Sequence, residues 1–174
     1  MWFPMRVTYN REMKMKDCFD QMKIENFLPM RYEIGDGCSS GMEKLVPAIH
    51  NLIFVRSNQD TITELKMSKR ELSPLRYMMR ETESGKTEIM TVPEKEMDDF
   101  IRVASVKNDS VFYVDASNYI NKIGKKVRIT SGQFKDVVGV IKRIKNNKCV
   151  VVRIEGIAAV AIAYIPARFL EEIS

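Results

Sequence analysis

The sequence predicts an α+β chain of two modules: an α/β sandwich over residues 1–106, a connection over 107–122 and a small β-barrel over 123–174. Three observations carry that reading. The first 106 residues alternate strand-like and helix-like periodicities. After Gly124 the helical period disappears and short β-rich runs recur between turns. The charge divides at the same place. Residues 122–174 hold 11 of the 28 Lys+Arg and four of the 23 Asp+Glu, a net +7; the rest holds 17 and 19, a net −2.

In chain order, Trp2 to Tyr9 is apolar, aromatic and β-branched, and Pro4 marks it as an edge strand. Met15, Cys18, Phe19 and Met22 recur at helical spacing and predict a helix from Glu12 to Phe27. Phe27 to Ile34 reads as a strand, and Gly35 to Gly41 as a loop. Val46 to Val55 is the most apolar stretch of the first half, and Leu52 to Arg56 reads as a central strand. Ser57 and Asp60 form a capping pattern for a helix from Gln59 to Lys69, which Pro74 forbids from continuing. Leu75 to Glu81 and Thr87 to Met90 read as extended pieces around a turn at Glu83 to Lys86. Thr91, Pro93 and Glu94 then open a helix that runs to Ser105, with Met97, Phe100, Ile101 and Ala104 on one stripe. Within the connection, Val111-Phe112-Tyr113-Val114 is an apolar island of strand character.

In the second module Val127 and Ile129 alternate with polar residues. Strands follow at Val137 to Ile144, Cys149 to Ile154, Ala158 to Tyr164 and Arg168 to Glu172, with turns at Ser131-Gly132 and Asn146-Asn147. The basic balance of this module suits an anionic partner or a solvated surface.

Composition narrows the function. A single histidine, His50, argues against a histidine metal site or a Ser-His-Asp triad. Cys18, Cys38 and Cys149 form no CxxC pair and no even framework. The longest apolar run, Ile157 to Ile165, is shorter than the ~18–20 residues that span a bilayer. Asp98-Asp99 and Glu171-Glu172 are adjacent acids that do not share a helix face, and Ser39-Ser40-Gly41 lacks a nucleophile elbow. The expectation is a monomeric cytoplasmic protein that is not an enzyme, needs no cofactor or metal and does not engage membranes.

Residues 124–174 contain Gly-Lys-Lys-Val-Arg-Ile and then Gly132-Gln-Phe-Lys-Asp-Val-Val-Gly139-Val-Ile. This resembles the KOW motif of a NusG-type C-terminal domain: Gly132, Phe134 and Gly139 match in place, and Gln133 replaces the usual proline. The opening Trp2-Phe3, the helix after it and the strand ending Phe54-Val55 resemble the N-terminal (NGN) domain of the same family. The family's Phe-Pro-Gly-Tyr before the central strand stands here as Ile49-His50-Asn51-Leu52, after Val46-Pro47-Ala48. That form resembles the UpxY group, NusG paralogues of Bacteroides-type bacteria that act as antiterminators of capsular polysaccharide operons.

The resemblance implies that the first module docks on the clamp helices of RNA polymerase through an apolar sheet face. Arg6, Ile49, Leu52 and Phe54 occupy the positions concerned. Alternation puts Leu52 and Phe54 on one face and Ile53 and Val55 on the other, and either face also suits core packing. Thr61, Thr63 and Glu64 stand where relatives touch the polymerase gate loop; helix capping and solvation account for them equally well. Arg11, Lys14, Arg76 and Arg80 are implied contacts to the non-template DNA strand, with phosphates supplying affinity. The barrel's relatives bind Rho or a small-subunit ribosomal protein, and Phe134, Lys135, Ile144 and Arg153 are the surface residues expected to serve. The competing reading is a KOW-type RNA- or ribosome-binding protein.

Overall fold

The computed structural model describes residues 1–34, 43–116 and 124–173. The loop expected at 35–41 and the end of the expected connection lie outside them. The chain divides into two units, Met1–Glu94 and Lys95–Ser174.

The first unit holds β1 (Trp2–Val7), α1 (Glu12–Gln21), β2 (Asn26–Phe27), β3 (Met30–Ile34), β4 (Glu43–Pro47), β5 (Leu52–Arg56), α2 (Gln59–Ser68), β6 (Leu75–Tyr77), β7 (Met79–Glu81) and β8 (Thr87–Ile89). Four of these strands form one antiparallel sheet in the order β2-β5-β1-β6. β3–β4 and β7–β8 are separate hairpins. β1 is central, not an edge: Pro4 stands opposite Phe54 on β5, and only Met5, Arg6 and Val7 reach β6. Pro4 therefore sits where β1 has one partner, which spares the missing N–H.

Phe3, Met5 and Val7 of β1 and Ile53 and Val55 of β5 share a core with Met15 and Phe19 of α1, Ile62 of α2, Leu72 and Leu75. Each such side chain, fully buried, contributes about 1.5–3 kcal/mol. This helix-facing core is what fixes the register.

α1 is shorter than the expected Glu12 to Phe27. Lys23 enters the left-handed region at φ 56. Its N–H donates to the Asp20 carbonyl (3.0 Å), and the Ile24 N–H to the Phe19 carbonyl (2.9 Å). That pair of bonds is a Schellman ending, here with lysine where glycine is usual. The freed residues Asn26 and Phe27 pair with Val55 and Phe54. The expected strand Leu75 to Glu81 is likewise two strands, because the chain leaves β1 after Tyr77 and joins β8 from Met79. The N-cap of α2 is Asn58, whose Oδ1 accepts from the Thr61 N–H at 2.8 Å.

The second unit holds α3 (Glu94–Ala104, which opens at the boundary), β9 (Val111–Val114), β10 (Lys126–Ile129), β11 (Val138–Ile144), β12 (Asn147–Ile154), β13 (Ala158–Ala163) and β14 (Leu170–Glu172). Its strands form one antiparallel sheet in the order β14-β10-β11-β12-β13-β9. The pairing ends at β14 and β9 and does not close into a ring among the described residues. β9 comes from the segment expected as a connection. Its island pairs with β13 because Val111 to Val114 supplies four half-buried apolar residues to a strand that is buried throughout. Phe112 and Val114 pack on the cluster of Ile144, Cys149, Val151, Ala159, Ala161 and Ala163.

Candidate docking face and basic clusters

The β1–β5 register defines two faces of the first sheet. Phe3 pairs with Val55 and Met5 with Ile53, on the side that holds the helices. Pro4 pairs with Phe54 and Arg6 with Leu52, on the other. Trp2 opposite Arg56, Phe27 opposite Phe54 and Arg76 opposite Arg6 extend that second face. It thus carries Trp2, Pro4, Phe27, Leu52 and Phe54 with three arginines around them. Sequence reasoning found Leu52, Phe54 and Arg6. Trp2, Pro4 and Phe27 were missed, because only the register reveals which residues of β1 and β2 share a face with Phe54.

Leu52 is 4% exposed, Phe54 0% and Trp2 1%. The expectation of an open docking surface at Leu52 and Phe54 is corrected here: neither offers surface in this structure. Burial satisfies their apolar side chains but leaves the Trp2 Nε1 without a hydrogen-bond acceptor among the described residues. Ile49 is half-buried and His50 exposed in the turn before β5. That turn is held by a buried glutamate. Glu12, 2% exposed at the start of α1, accepts the Asn51 N–H through Oε1, while the Asn51 carbonyl accepts from the Val7 N–H at 3.0 Å. Asn51 has φ 61, a left-handed conformation that asparagine tolerates better than most residues.

Arg6 and Arg76 face each other across β1 and β6, and both are exposed. Like charges directly opposite in an antiparallel pair are unfavourable. Arg76 turns its Nη1 to the Ser73 and Leu75 carbonyls. Lys66 lies close enough for Arg76 to matter: burial first, and then the Arg76 charge, hold its ammonium below the ordinary 10.5. The loop after β1 joins this end of the sheet, since the Thr8 N–H donates to the Pro74 carbonyl at 3.1 Å. That loop carries Tyr9, and Arg11 lies 5.6 Å from its ring centroid. Lys14 is exposed on α1. Arg80 does not join this cluster. It sits on the β7–β8 hairpin and donates its Nε to Glu88 at 2.6 Å, which neutralises it. Arg56 is also paired, with Glu25 at 2.9 Å and Glu94 at 3.2 Å. The N-terminal ammonium, at 3.1 Å, and Arg56 hold the Glu94 carboxyl below its usual value.

Thr61, Thr63 and Glu64 lie on α2, in the helical layer and away from the Leu52 face. The Thr61 N–H is used by the Asn58 cap. Thr63 Oγ1 lies 3.1 Å from the Tyr77 hydroxyl, and Glu64 is exposed. An open depression of about 620 Å³ beside the start of α2 is lined by Met1, Phe3, Asn58, Gln59, Met79 and Ile89, among others.

In the second unit the KOW-like residues are structural. Gly132 has φ 84. A Cβ on Gly139 would lie 2.6 Å from Val150 Cγ1 and 2.8 Å from the Val151 carbonyl oxygen. Phe134 is 7% exposed and Ile144 9%, so the expected surface contacts at these two are corrected to core positions. Lys135 is exposed and Arg153 half-buried. α3 fastens this turn. Arg102 donates Nη1 to the Lys135 carbonyl (2.6 Å) and Nη2 to the Gln133 carbonyl (2.8 Å). Asp99, 6% exposed, pairs with Lys95 at 2.6 Å and accepts the Val138 N–H at 3.2 Å.

No group of three or more His, Cys, Asp or Glu that could hold a metal ion occurs among the described residues, and no described helix is long and apolar enough to cross a membrane. No family model and no curated protein matches the chain. Among solved structures it is similar to one titled "Domain interaction in Thermotoga maritima NusG", at 19% identity over 99% of this chain and 97% of that one, with a TM-score of 0.45.

Proposed function

We propose that this chain is a NusG-like transcription elongation and antitermination factor. It binds RNA polymerase through the sheet face of Trp2, Pro4, Leu52 and Phe54, with Arg6 at its margin, and promotes read-through of a capsular polysaccharide operon. The observation that carries the reading is that face: a second apolar surface on a four-stranded sheet whose other side already holds the helical core. A small antiparallel sheet needs only one such side for its own core. The orphaned Trp2 N–H fits a face that acquires a partner. The operon assignment rests on the UpxY-like stretch from Val46 to Leu52, and the KOW-like turn supports the second module's identity. Arg6, Arg11, Lys14 and Arg76 are the residues we assign to the non-template strand.

Because Leu52 and Phe54 are buried, docking requires this face to be uncovered first. Exposing two such side chains forfeits about 3–6 kcal/mol, so the competent state is populated below about 1%. The test is stopped-flow binding of the full chain to core RNA polymerase from a Bacteroides-type bacterium. The expected result is saturable binding whose observed rate levels off as polymerase is raised, at the rate of uncovering. Absence of polymerase binding up to tens of micromolar would sink the reading.

A further inference from the structure

The depression beside the start of α2 takes no part in the Leu52–Phe54 face. It opens on the helical side of the first sheet, because its floor includes Phe3, which belongs to the core shared with α1 and α2. At about 620 Å³ it falls within the ~300–1,000 Å³ of small-molecule sites. Met79 and Ile89 complete the apolar floor. They stand opposite each other across the β7–β8 hairpin, and Thr87, two residues before Ile89, shares their face. The polar rim includes Ser57, Gln59, Thr87 and Thr91. Among the described residues none of these four side chains makes a hydrogen bond. Ser57 and Gln59 use backbone atoms instead: the Ser57 N–H donates to the Met1 carbonyl, and the Gln59 carbonyl accepts from the Tyr77 hydroxyl, both at 3.1 Å.

Charge narrows what this lining can hold. It includes no lysine or arginine, and its one ammonium, on Met1, is held by Glu94 at 3.1 Å. An anion therefore finds no free counter-charge. Its one carboxylate, Glu88, is engaged by Arg80, so a cation finds none either. A purely apolar ligand would strip water from the rim's hydroxyls and amide and give nothing back, which is unfavourable. A neutral ligand that combines apolar faces with many hydroxyls meets every part of the lining. Serine and threonine hydroxyls both donate and accept, and the glutamine amide offers one group of each kind. Sugar hydroxyls do the same in return. The C–H face of a sugar ring covers the floor, where the flexible Met79 thioether adapts to its outline.

We infer that this depression is a binding site for a neutral disaccharide. Phe3, Met79 and Ile89 lie under its rings, and Ser57, Gln59, Thr87 and Thr91 bond its hydroxyls. The two walls come from different elements, the start of α2 and the β7–β8 hairpin, so an occupant bridges them. A two-stranded hairpin is marginal by itself, and bridging holds it in place. The site uses none of the residues assigned to polymerase or to DNA, and it stands whether or not that reading does.

The test follows the backbone amides of the full chain by NMR during titration with maltose, cellobiose and N,N′-diacetylchitobiose. Glycerol, glucuronate and cyclohexanol are the controls. The expected result is a saturable shift of the Gln59, Thr87 and Ile89 amides with at least one disaccharide, at a Kd on the order of 1 mM. Hydrogen exchange in the β7–β8 hairpin slows in the same sample. Gln59→Ala/Thr87→Ala removes two hydrogen-bonding side chains and weakens binding about 5–100-fold. Both side chains are exposed, so the melt of the free variant matches the parent. Met79→Glu places a charge on the floor and abolishes binding. Absence of a saturable shift with all three disaccharides up to about 50 mM would overturn the assignment. So would an equal response to glycerol or glucuronate, tighter binding of cyclohexanol, or indifference to the double variant.

Discussion

Gly139→Ala is the perturbation that most directly tests why the second unit has its sequence. β11 passes β12 so closely at Gly139 that an added Cβ would sit 2.6 Å from Val150 Cγ1 and 2.8 Å from the Val151 oxygen. Ordinary carbon contacts lie near 3.5–4.0 Å, so about 1 Å must be found. Val150 is buried and β-branched, with restricted χ1 freedom, and the Val151 oxygen belongs to a strand paired on both sides. Neither neighbour yields easily. Overpacking of this kind costs about 1–3 kcal/mol. The gain from restricting glycine in the unfolded chain offsets about 0.4–1 kcal/mol. The net expectation is a loss of about 1–2 kcal/mol, or a fall in Tm of roughly 4–16 °C for a unit of this size. Circular dichroism melts of the full chain measure the shift, and hydrogen exchange at Val140 and Val151 localises it. Gly132→Ala is the contrast: no atom lies within 4 Å of its Cβ, so only the strain of φ 84 acts. A Tm for Gly139→Ala equal to or above the parent would refute the close approach.

Two further predictions follow from buried or paired carboxyls in the first unit. Glu12→Ala leaves the Asn51 N–H without its acceptor and destabilises by about 1–3 kcal/mol; Glu12→Gln, which keeps an acceptor, loses clearly less in the same urea titration. The Asp20 carboxyl titrates below its ordinary 3.8, because Lys16 at 2.6 Å and then Asn26 at 2.7 Å bond to its charged form. A depressed folded value means that the unfolded chain binds the proton more readily. Its contribution is therefore present above pH 3.8 and lost as pH falls through the folded value. Carboxyl-carbon NMR titration checks it; Lys16→Ala raises the value, and a wild-type value at or above 3.8 would contradict the pairing.

What the sequence made legible followed periodicity. Met15 and Phe19 in one helix and Ile53 and Val55 in one strand announced the core by spacing, and the structure joins them in one cluster. The alternation of Leu52 with Phe54 also named a second face correctly as a face. What stayed hidden depended on partners distant in the chain. The end of α1 is not legible in the sequence, because Lys23, not glycine, takes the left-handed position, and only the two backbone bonds reveal it. β9 read as connection because four apolar residues are too few to specify a strand without β13 beside them. Arg80 read as a free cation because Glu88 is its neighbour across a hairpin, not along the chain. Phe134 read as surface because its motif position says nothing of burial.

The first unit's candidate face makes a specific demand of a partner. The Leu52–Phe54 face is closed, and opening it forfeits several kcal/mol before any contact is made. A partner there must be large, apolar and well matched, as a folded protein surface is, and its apparent affinity is reduced by the fraction of chains that are open. Raising salt from 50 to 200 mM should therefore leave polymerase binding through this face in place, because apolar burial is not screened by ions while exposed charge pairs are.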